Sequence, residues 1–119
     1  MTGLTGYHAG LAAESIVAED YQRRGRKVAN RRWRGCGGEV DLIVREGDRV
    51  VFVEVKKSKT FARAAERLTR RQMDRIYATA SEFLGGEPAG QLTDVRFDLA
   101  LVDGRGAVQI IENAFMDVA

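Results

Sequence analysis

The amino-acid sequence predicts an α/β fold in which a mixed central β-sheet is flanked by helices, in the order α-β-β-β-α-β-β. Three patterns indicate this class: an apolar stripe at helical spacing near the start, two β-branched segments around a Gly-Asp turn, and a second helical stripe followed by alternating segments. A chain of 119 residues is long enough for one hydrophobic core. We therefore expect residues 1–119 to form a single domain.

Two segments have the periodicity of helices. Residues 7–24 are expected to form a helix that ends at Gly25, and residues 66–84 a helix that ends at Gly85. The inward face of the first carries Tyr7, Leu11, Glu14, Ala18 and Tyr21, and that of the second carries Leu68, Met73, Ile76, Ala80 and Phe83.

Five segments are predicted as strands, at residues 27–33, 39–44, 50–56, 95–102 and 107–111. The second and third are joined by Gly47-Asp48, which suits a two-residue type II′ hairpin turn. Such a turn places Asp41 opposite Glu54 and Glu39 opposite Lys56, so that all four side chains emerge on one face. The other face then carries Val40, Leu42, Val51, Val53 and Val55.

Two directly opposed carboxylates repel each other, and their burial without partners costs still more. A divalent cation between Asp41 and Glu54 removes this conflict, and Lys56 adds a positive charge beside it. Carboxylate-held metal and a lysine are the parts that phosphodiester hydrolysis requires. The alternative is a surface hairpin with solvated charges and a Glu39–Lys56 pair across the strands.

Any metal bound by this chain must be held by oxygen ligands. It has one cysteine, Cys36, and one histidine, His8, which excludes an internal disulfide and a Cys/His zinc site. Magnesium or manganese is therefore the expected cofactor. Glu14 lies inside the apolar stripe of the first helix and needs a partner, which is either the metal or an arginine such as Arg32.

Charge is segregated along the chain. Residues 1–36 and 56–76 are net positive, whereas residues 37–55 and 77–119 are net negative. Basic surfaces around an acidic centre favour a polyanionic partner that meets a cation, and solvated helix faces are the alternative. The residues expected to contact a phosphate backbone are Arg32, Lys57, Lys59, Arg63, Arg70 and Arg71, with Arg67 and Arg75 close by. Trp33 is interpreted as a core residue rather than a base-stacking one.

Four segments carry a family resemblance. They are G-L-A-A-E-S-I-V-A-E-D-Y at 10–21, N-R-R at 30–32, G-G-E-V-D-L-I at 37–43 and V-F-V-E-V-K at 51–56. Together with R-F-D-L-A at 96–100 and I-E-N-A-F at 111–115, they resemble the YraN-like family of uncharacterised bacterial proteins over nearly the whole chain. That family is similar to the PD-(D/E)xK nuclease superfamily, which includes restriction enzymes and archaeal Holliday-junction resolvases.

The resemblance implies a restriction-endonuclease-like domain and a Mg²⁺-dependent or Mn²⁺-dependent endonuclease that acts on DNA, including branched or structured DNA. It implies that Asp41 and Glu54 are metal ligands, that the Val55 carbonyl contacts the metal, that Lys56 is the catalytic lysine and that Glu14 is an accessory acid. Three positions depart from the pattern: Val40 replaces its proline, Ser58 a frequent basic residue and Gln72 a usual lysine. The last two bear on substrate contacts and on activity.

Two further functions fit the same residues. The first is an inactive nucleic-acid-binding module that keeps the nuclease fold, and the second is an interaction protein whose basic faces dock an acidic partner. The start of the chain lacks the charged-then-apolar order of a signal peptide, and no apolar run approaches the length of a membrane span. We expect a cytoplasmic protein without a membrane partner, and by analogy a homodimer formed through the strand near 108–111.

Overall fold

A computed structural model describes the backbone of residues 2–115 and the side chains of residues 12–115. The helices are α1 (Thr2–Arg23), α2 (Phe61–Glu66) and α3 (Arg70–Leu84), with a short 3₁₀ turn at Gly90–Leu92, and the strands are β1 (Lys27–Arg34), β2 (Glu39–Glu46), β3 (Arg49–Lys57), β4 (Val95–Val102) and β5 (Val108–Ile111). The predicted fold class is confirmed, with one helix more than expected. The side chains of Tyr7, His8 and Leu11, which the sequence analysis discussed, lie outside the described residues.

The five strands form one sheet in the order β1-β2-β3-β4-β5. Strands β3 and β4 are parallel and the other neighbours are antiparallel. Because a parallel pair needs a crossover, the chain between them carries α2 and α3 over one face of the sheet. Strand β5 lies at the sheet edge, where the predicted homodimer contact stays a prediction. Within residues 2–115, no helix has the length and apolar character needed to cross a bilayer.

The sheet buries a separate hydrophobic cluster on each face. On one face Val40, Ile43, Phe52, Leu99 and Leu101 pack against Ile76, Ala80 and Leu84 of α3. On the other face Leu42, Val44, Val51 and Val53 pack against Ala13, Val17, Ala18 and Tyr21 of α1. Trp33 joins the α3 side, where its ring packs edge-on against Phe83 with centroids 5.3 Å apart, and its interpretation as a core residue is confirmed.

The predicted helix at 66–84 is two helices, because the chain offers two N-caps. The Thr60 side chain accepts the Arg63 N–H at the start of α2, and Thr69 forms a capping box with Gln72 at the start of α3. The arginines from 63 to 71 that were expected to contact a phosphate backbone therefore lie on two helices. Arg63 lies on α2, whereas Arg70 and Arg71 lie on the first turn of α3.

The hairpin between β2 and β3 has the predicted two-residue turn. Gly47 has a φ of +63°, a conformation that favours glycine, and Glu46 pairs with Arg49 directly beside it. The predicted register holds from there to the pair Leu42–Val53.

Beyond that pair, β2 departs from simple alternation. Val40 was predicted on the same face as Leu42, but it packs on the α3 side while Leu42 packs on the α1 side. The irregularity lies where Arg32, on the neighbouring strand, has a φ of +54°. A side chain other than glycine in this conformation is under local strain, which is typical of functional sites.

A buried ionic network ties β4 to α1, centred on Asp98, which pairs with Val53 of β3. Asp98 is 0% exposed and accepts hydrogen bonds from the Tyr21 hydroxyl at 2.8 Å and from Arg96 Nε at 2.8 Å. Arg96 also donates to both carboxylate oxygens of Glu46, at 2.9 and 3.0 Å. All three acidic and basic groups are thus paired, as buried charges must be.

Candidate functional site

Strands β2 and β3 separate at Asp41, where a hydrogen bond to the Asp41 side chain replaces the backbone pairing. The last paired residues are Leu42 and Val53, so the predicted backbone pairing of Asp41 with Glu54 does not occur. Instead the Val55 N–H donates to Asp41 Oδ2 at 2.8 Å. This contact fixes the half-buried carboxylate at the open end of the hairpin, beside Glu54.

Glu54 and Lys56 lie next to each other on β3. The side chains are 12% and 15% exposed, and Lys56 Nζ lies 3.2 Å from Glu54 Oε2. Glu39 pairs with Arg32 Nε at 3.3 Å, so the predicted Glu39–Lys56 pair does not form. The three residues on which the sequence analysis centred, Asp41, Glu54 and Lys56, are brought together.

Glu14 reaches the same place from α1. Its carboxylate lies within hydrogen-bonding range of Asp41 and 3.7 Å from Arg32 Nε. Glu14 thus contacts both of the partners considered for it, the acidic site and an arginine. Arg32, predicted to contact nucleic acid, faces the carboxylates of Glu14 and Glu39.

Burial and the nearby charge of Asp41 raise the pKa of both Glu14 and Glu54. Burial, with the charge of Asp41 next in importance, raises the pKa of Glu54 from 4.5 to about 8, while Lys56 opposes the rise. The same two causes raise the pKa of Glu14 to about 7, against the pull of Arg32. Burial is thus the main reason why these two carboxyls favour their neutral form, and repulsion by Asp41 adds to it.

We expect the metal-free protein to lose stability as the pH rises from about 4.5 towards about 8. In that window folded Glu54 keeps a proton that the unfolded chain has released, so the folded state binds more protons and a higher pH favours unfolding. Urea unfolding at several pH values measures this slope. Glu54→Gln should flatten it and the exposed Glu66→Gln should not; an equal slope in wild type and Glu54→Gln would contradict the assignment.

The donor set fits a hard divalent cation. Within the described residues, no three carboxylate, histidine or cysteine side chains are grouped so as to hold a metal by themselves. The carboxylates meet in pairs, Asp41 with Glu54 and Asp41 with Glu14. Magnesium commonly takes one or two carboxylates and keeps several waters, so the pair Asp41 and Glu54 is sufficient. The contribution of the Val55 carbonyl stays a prediction.

A cavity of about 220 Å³ opens beside Asp41 and Glu54. Its other walls are formed by Gly38 and Glu39 at the start of β2 and by Gln72, Arg75 and Ile76 of α3. Gly38 has a φ of +153°, and a Cβ atom there would lie 3.3 Å from Thr79 Oγ1, so glycine lets the turn press against α3. The Cys36 N–H also donates to Glu82 Oε2 at 2.8 Å, which fastens this turn to α3.

The other residues predicted to bind nucleic acid surround this end of the sheet but stay outside the cavity. Lys57 ends β3, and the Lys59 carbonyl accepts the Gly104 N–H at 3.3 Å in the loop that follows. Arg63 and Arg71 are exposed, and Arg70 pairs with Asp74 at 3.3 Å. Their roles in binding are untested.

Helix α3 brings to the site Gln72, which stands where the nuclease pattern usually has a lysine, and Arg75, which was expected close to the phosphate contacts. Gln72 and Arg75 line the cavity, and Gln72 Oε1 also accepts the Thr69 N–H at 3.1 Å. Gln72 lies one turn before both Arg75 and the inward-facing Ile76, and this spacing is the signal that was available, because residues three or four apart share a helical face. What that face opposes was not visible in the sequence.

Comparison with known proteins identifies relatives over almost the full length. The model of uncharacterised protein family UPF0102 matches residues 13–102. A UPF0102 protein of Cereibacter sphaeroides is 66% identical over 97% of this chain and 98% of its own length. UPF0102 proteins of Ruegeria pomeroyi and Roseobacter denitrificans are 61% and 55% identical, over 95% and 97% of this chain and 92% and 89% of their own lengths. The resemblance to a family of uncharacterised bacterial proteins is thus confirmed.

Proposed function

We propose that this chain, which belongs to uncharacterised protein family UPF0102, is an endonuclease that hydrolyses phosphodiester bonds in DNA with Mg²⁺ or Mn²⁺ held by Asp41 and Glu54. Branched or structured DNA is the substrate proposed by resemblance to the PD-(D/E)xK superfamily. The relatives carry no named activity, so the support for this proposal comes from the residues of the site.

One observation carries the proposal: two mutually repelling carboxylates, Asp41 and Glu54, share a half-buried site with Lys56 beside a polar cavity. An arrangement that destabilises the folded protein is expected where function requires it. A bound divalent cation supplies Lewis-acid polarisation of a phosphate oxygen and a water of lowered pKa.

The protein residues divide the remaining work. Asp41 is oriented by the Val55 N–H, and its carboxylate would bind the cation in place of its hydrogen bonds with Glu14 and Glu54. Lys56 holds Glu54 at 3.2 Å in the metal-free protein and, with a cation in place, its ammonium can orient the attacking water or stabilise charge on the phosphate. Glu14 and Arg32 set the charge around Asp41.

We expect labelled duplex, single-stranded, flapped and four-way DNA to separate the possible substrates. Cleavage of at least one of them should require Mg²⁺ or Mn²⁺ and stop with a chelator. Lys56→Met should reduce the rate by about 100-fold or more, since loss of one group that stabilises transition-state charge has about this effect. Lys27→Met, at an exposed position on β1, is the matched control and should cleave like the wild type.

Equal cleavage by wild type and Lys56→Met would reject the proposed role of the lysine. Salt-sensitive binding of these substrates, without cleavage in any divalent metal, would instead identify a non-catalytic nucleic-acid-binding module. Absence of both binding and cleavage would reject nucleic acid as the partner and favour an acidic protein.

A further inference from the structure

The cavity wall opposite the carboxylates carries a cation that the proposed chemistry leaves without a role. Arg75 lies on α3 and lines the cavity together with Asp41 and Glu54. Seven basic residues lie at positions 57 to 75. Of these seven, Arg75 is the one found among the described residues that line the cavity. Arg75 is therefore distinguished from the basic surface around it by its position.

The other cations near the site are already paired with carboxylates. Lys56 lies 3.2 Å from Glu54, and Arg32 lies 3.3 Å from Glu39. Asp74, the neighbour of Arg75 in the chain, pairs with Arg70. Within residues 12–115 no carboxylate oxygen lies within ion-pairing distance of Arg75, although three carboxylates line the same cavity.

The backbone at Arg75 is held in place on two sides. The Thr79 hydroxyl donates to the Arg75 carbonyl at 2.8 Å, and the Gly38 backbone lies so near that a Cβ atom on it would be 3.7 Å from Arg75 Cβ. The capping box of Thr69 and Gln72 fixes the start of the same helix. The exposed Arg75 side chain thus starts from a rigid backbone position at the cavity that Asp41 and Glu54 also line.

We infer that Arg75 binds the phosphate group of the substrate on the cavity wall opposite Asp41 and Glu54. The inference rests on the proposed function, because it assigns a ligand to the same site. A planar guanidinium offers two parallel donors to phosphate oxygens, so the anion is held between a bidentate cation on α3 and the metal side of the cavity.

The cavity also restricts the class of substrate that the site recognises. Its volume of about 220 Å³ is small, and the described residues that line it are carboxylates, an amide, a guanidinium, a glycine and Ile76, with no aromatic ring among them for a base to stack on. The phosphate therefore enters while the bases stay outside, and contacts to phosphate carry no sequence information. We infer a substrate recognised by its phosphodiester backbone and cleaved with little preference for base sequence.

The test compares Arg75→Gln with Arg23→Gln, which removes the same charge from an exposed position at the end of α1. Binding of a short labelled DNA strand is measured by anisotropy in Ca²⁺ over a series of salt concentrations, and cleavage is measured in Mg²⁺ and Mn²⁺. Arg75→Gln should weaken binding about 10-fold to 100-fold, the equivalent of one hydrogen-bonded charged contact. The slope of log K against log salt should fall by about 0.7 to 0.9, the value for one phosphate contact.

Arg75→Lys provides a second variant that keeps the charge and loses the paired donors. It should recover the salt slope but only part of the affinity and cleavage rate. Changing the bases that flank the scissile bond should alter the wild-type rate by less than 10-fold. Rates that differ by about 1000-fold between base sequences would overturn the inferred backbone recognition.

The outcomes separate this inference from the proposed function. If the wild type cleaves DNA and Arg75→Gln binds and cleaves like Arg23→Gln, the role of Arg75 is rejected while the nuclease stands. Suppose that no metal supports cleavage, but Arg75→Gln lowers both the affinity for DNA and the slope of log K against log salt. Phosphate binding by Arg75 then stands and the nuclease is rejected. If the wild type does not bind DNA, both are rejected.

Discussion

Asp41→Asn is expected to abolish metal-dependent cleavage and, at the same time, to stabilise the metal-free protein. The amide keeps an oxygen that can accept the Val55 N–H, so the local backbone should not change. Its lost charge removes a cation ligand from the site, and the cleavage rate should fall by at least about 1000-fold, near the upper range for loss of one essential electrostatic group.

The gain in stability has the same cause as the loss of activity. Asp41 is the charge that raises the pKa of both Glu14 and Glu54, second only to burial. Near pH 8.5, neutralising it should raise the free energy of unfolding by roughly 1 to 2 kcal/mol, since one pKa unit is equivalent to about 1.4 kcal/mol. Urea unfolding in the presence of a chelator measures the effect.

Asp48→Asn is the matched control for this variant. It makes the same chemical change at the exposed tip of the hairpin, in the two-residue turn. We expect it to leave cleavage unchanged and to alter stability by less than about 0.5 kcal/mol. Full cleavage by Asp41→Asn would exclude the carboxylate as a metal ligand, and a stability lower than that of Asp48→Asn would show that the carboxylates do not repel each other.

Asp98→Ala is expected to cause the largest loss of stability. Asp98 is fully buried and accepts hydrogen bonds from Tyr21, from Arg96 and from the Asn113 N–H. Removing it leaves these donors without their acceptor and strips the buried Arg96 of one of its anions. Breaking a buried ion pair in this way costs about 3 to 5 kcal/mol, a large part of the roughly 5 to 15 kcal/mol that stabilises a typical domain.

Urea denaturation measures this loss, with Asp94→Ala as the control. Asp94 lies just before the same strand and pairs with Arg49 at 2.9 Å, but its side chain is 64% exposed, so its removal should cost less than about 1 kcal/mol. Tyr21→Phe should cost about 1 kcal/mol in the wild type and less in the Asp98→Ala background, because the shared hydrogen bond is already lost. Equal stabilities for the Asp94 and Asp98 variants would refute the network.

The hairpin shows how much of the site the sequence could predict. A two-residue turn at Gly47-Asp48 sets the register of its strands. The predicted register holds as far as Leu42 and Val53, one pair short of Asp41 and Glu54. The break in alternation at Val40 was not predictable in this way. It lies beside Arg32 in the neighbouring strand, which has a positive φ and whose side chain contacts Glu14 and Glu39.

The helices also combine a feature that is encoded locally with one that depends on tertiary packing. The split between α2 and α3 was encoded locally by the capping residues Thr60 and Thr69, so the sequence itself carries the signal for two helices. The position of Arg75 across the cavity was not encoded locally, because it depends on how α3 docks against Gly38 and the sheet.

By itself, the sequence determined what short-range rules govern: the strands and helices, the hairpin turn, and the grouping of Asp41, Glu54 and Lys56. Only the tertiary structure decided how distant side chains join them: Glu14 from α1 contacts both Asp41 and Arg32, and Arg75 from α3 lines the same cavity. The reason is physical: turn geometry fixes neighbours across a hairpin, whereas the placement of a helix over a sheet results from burial of many apolar side chains at once.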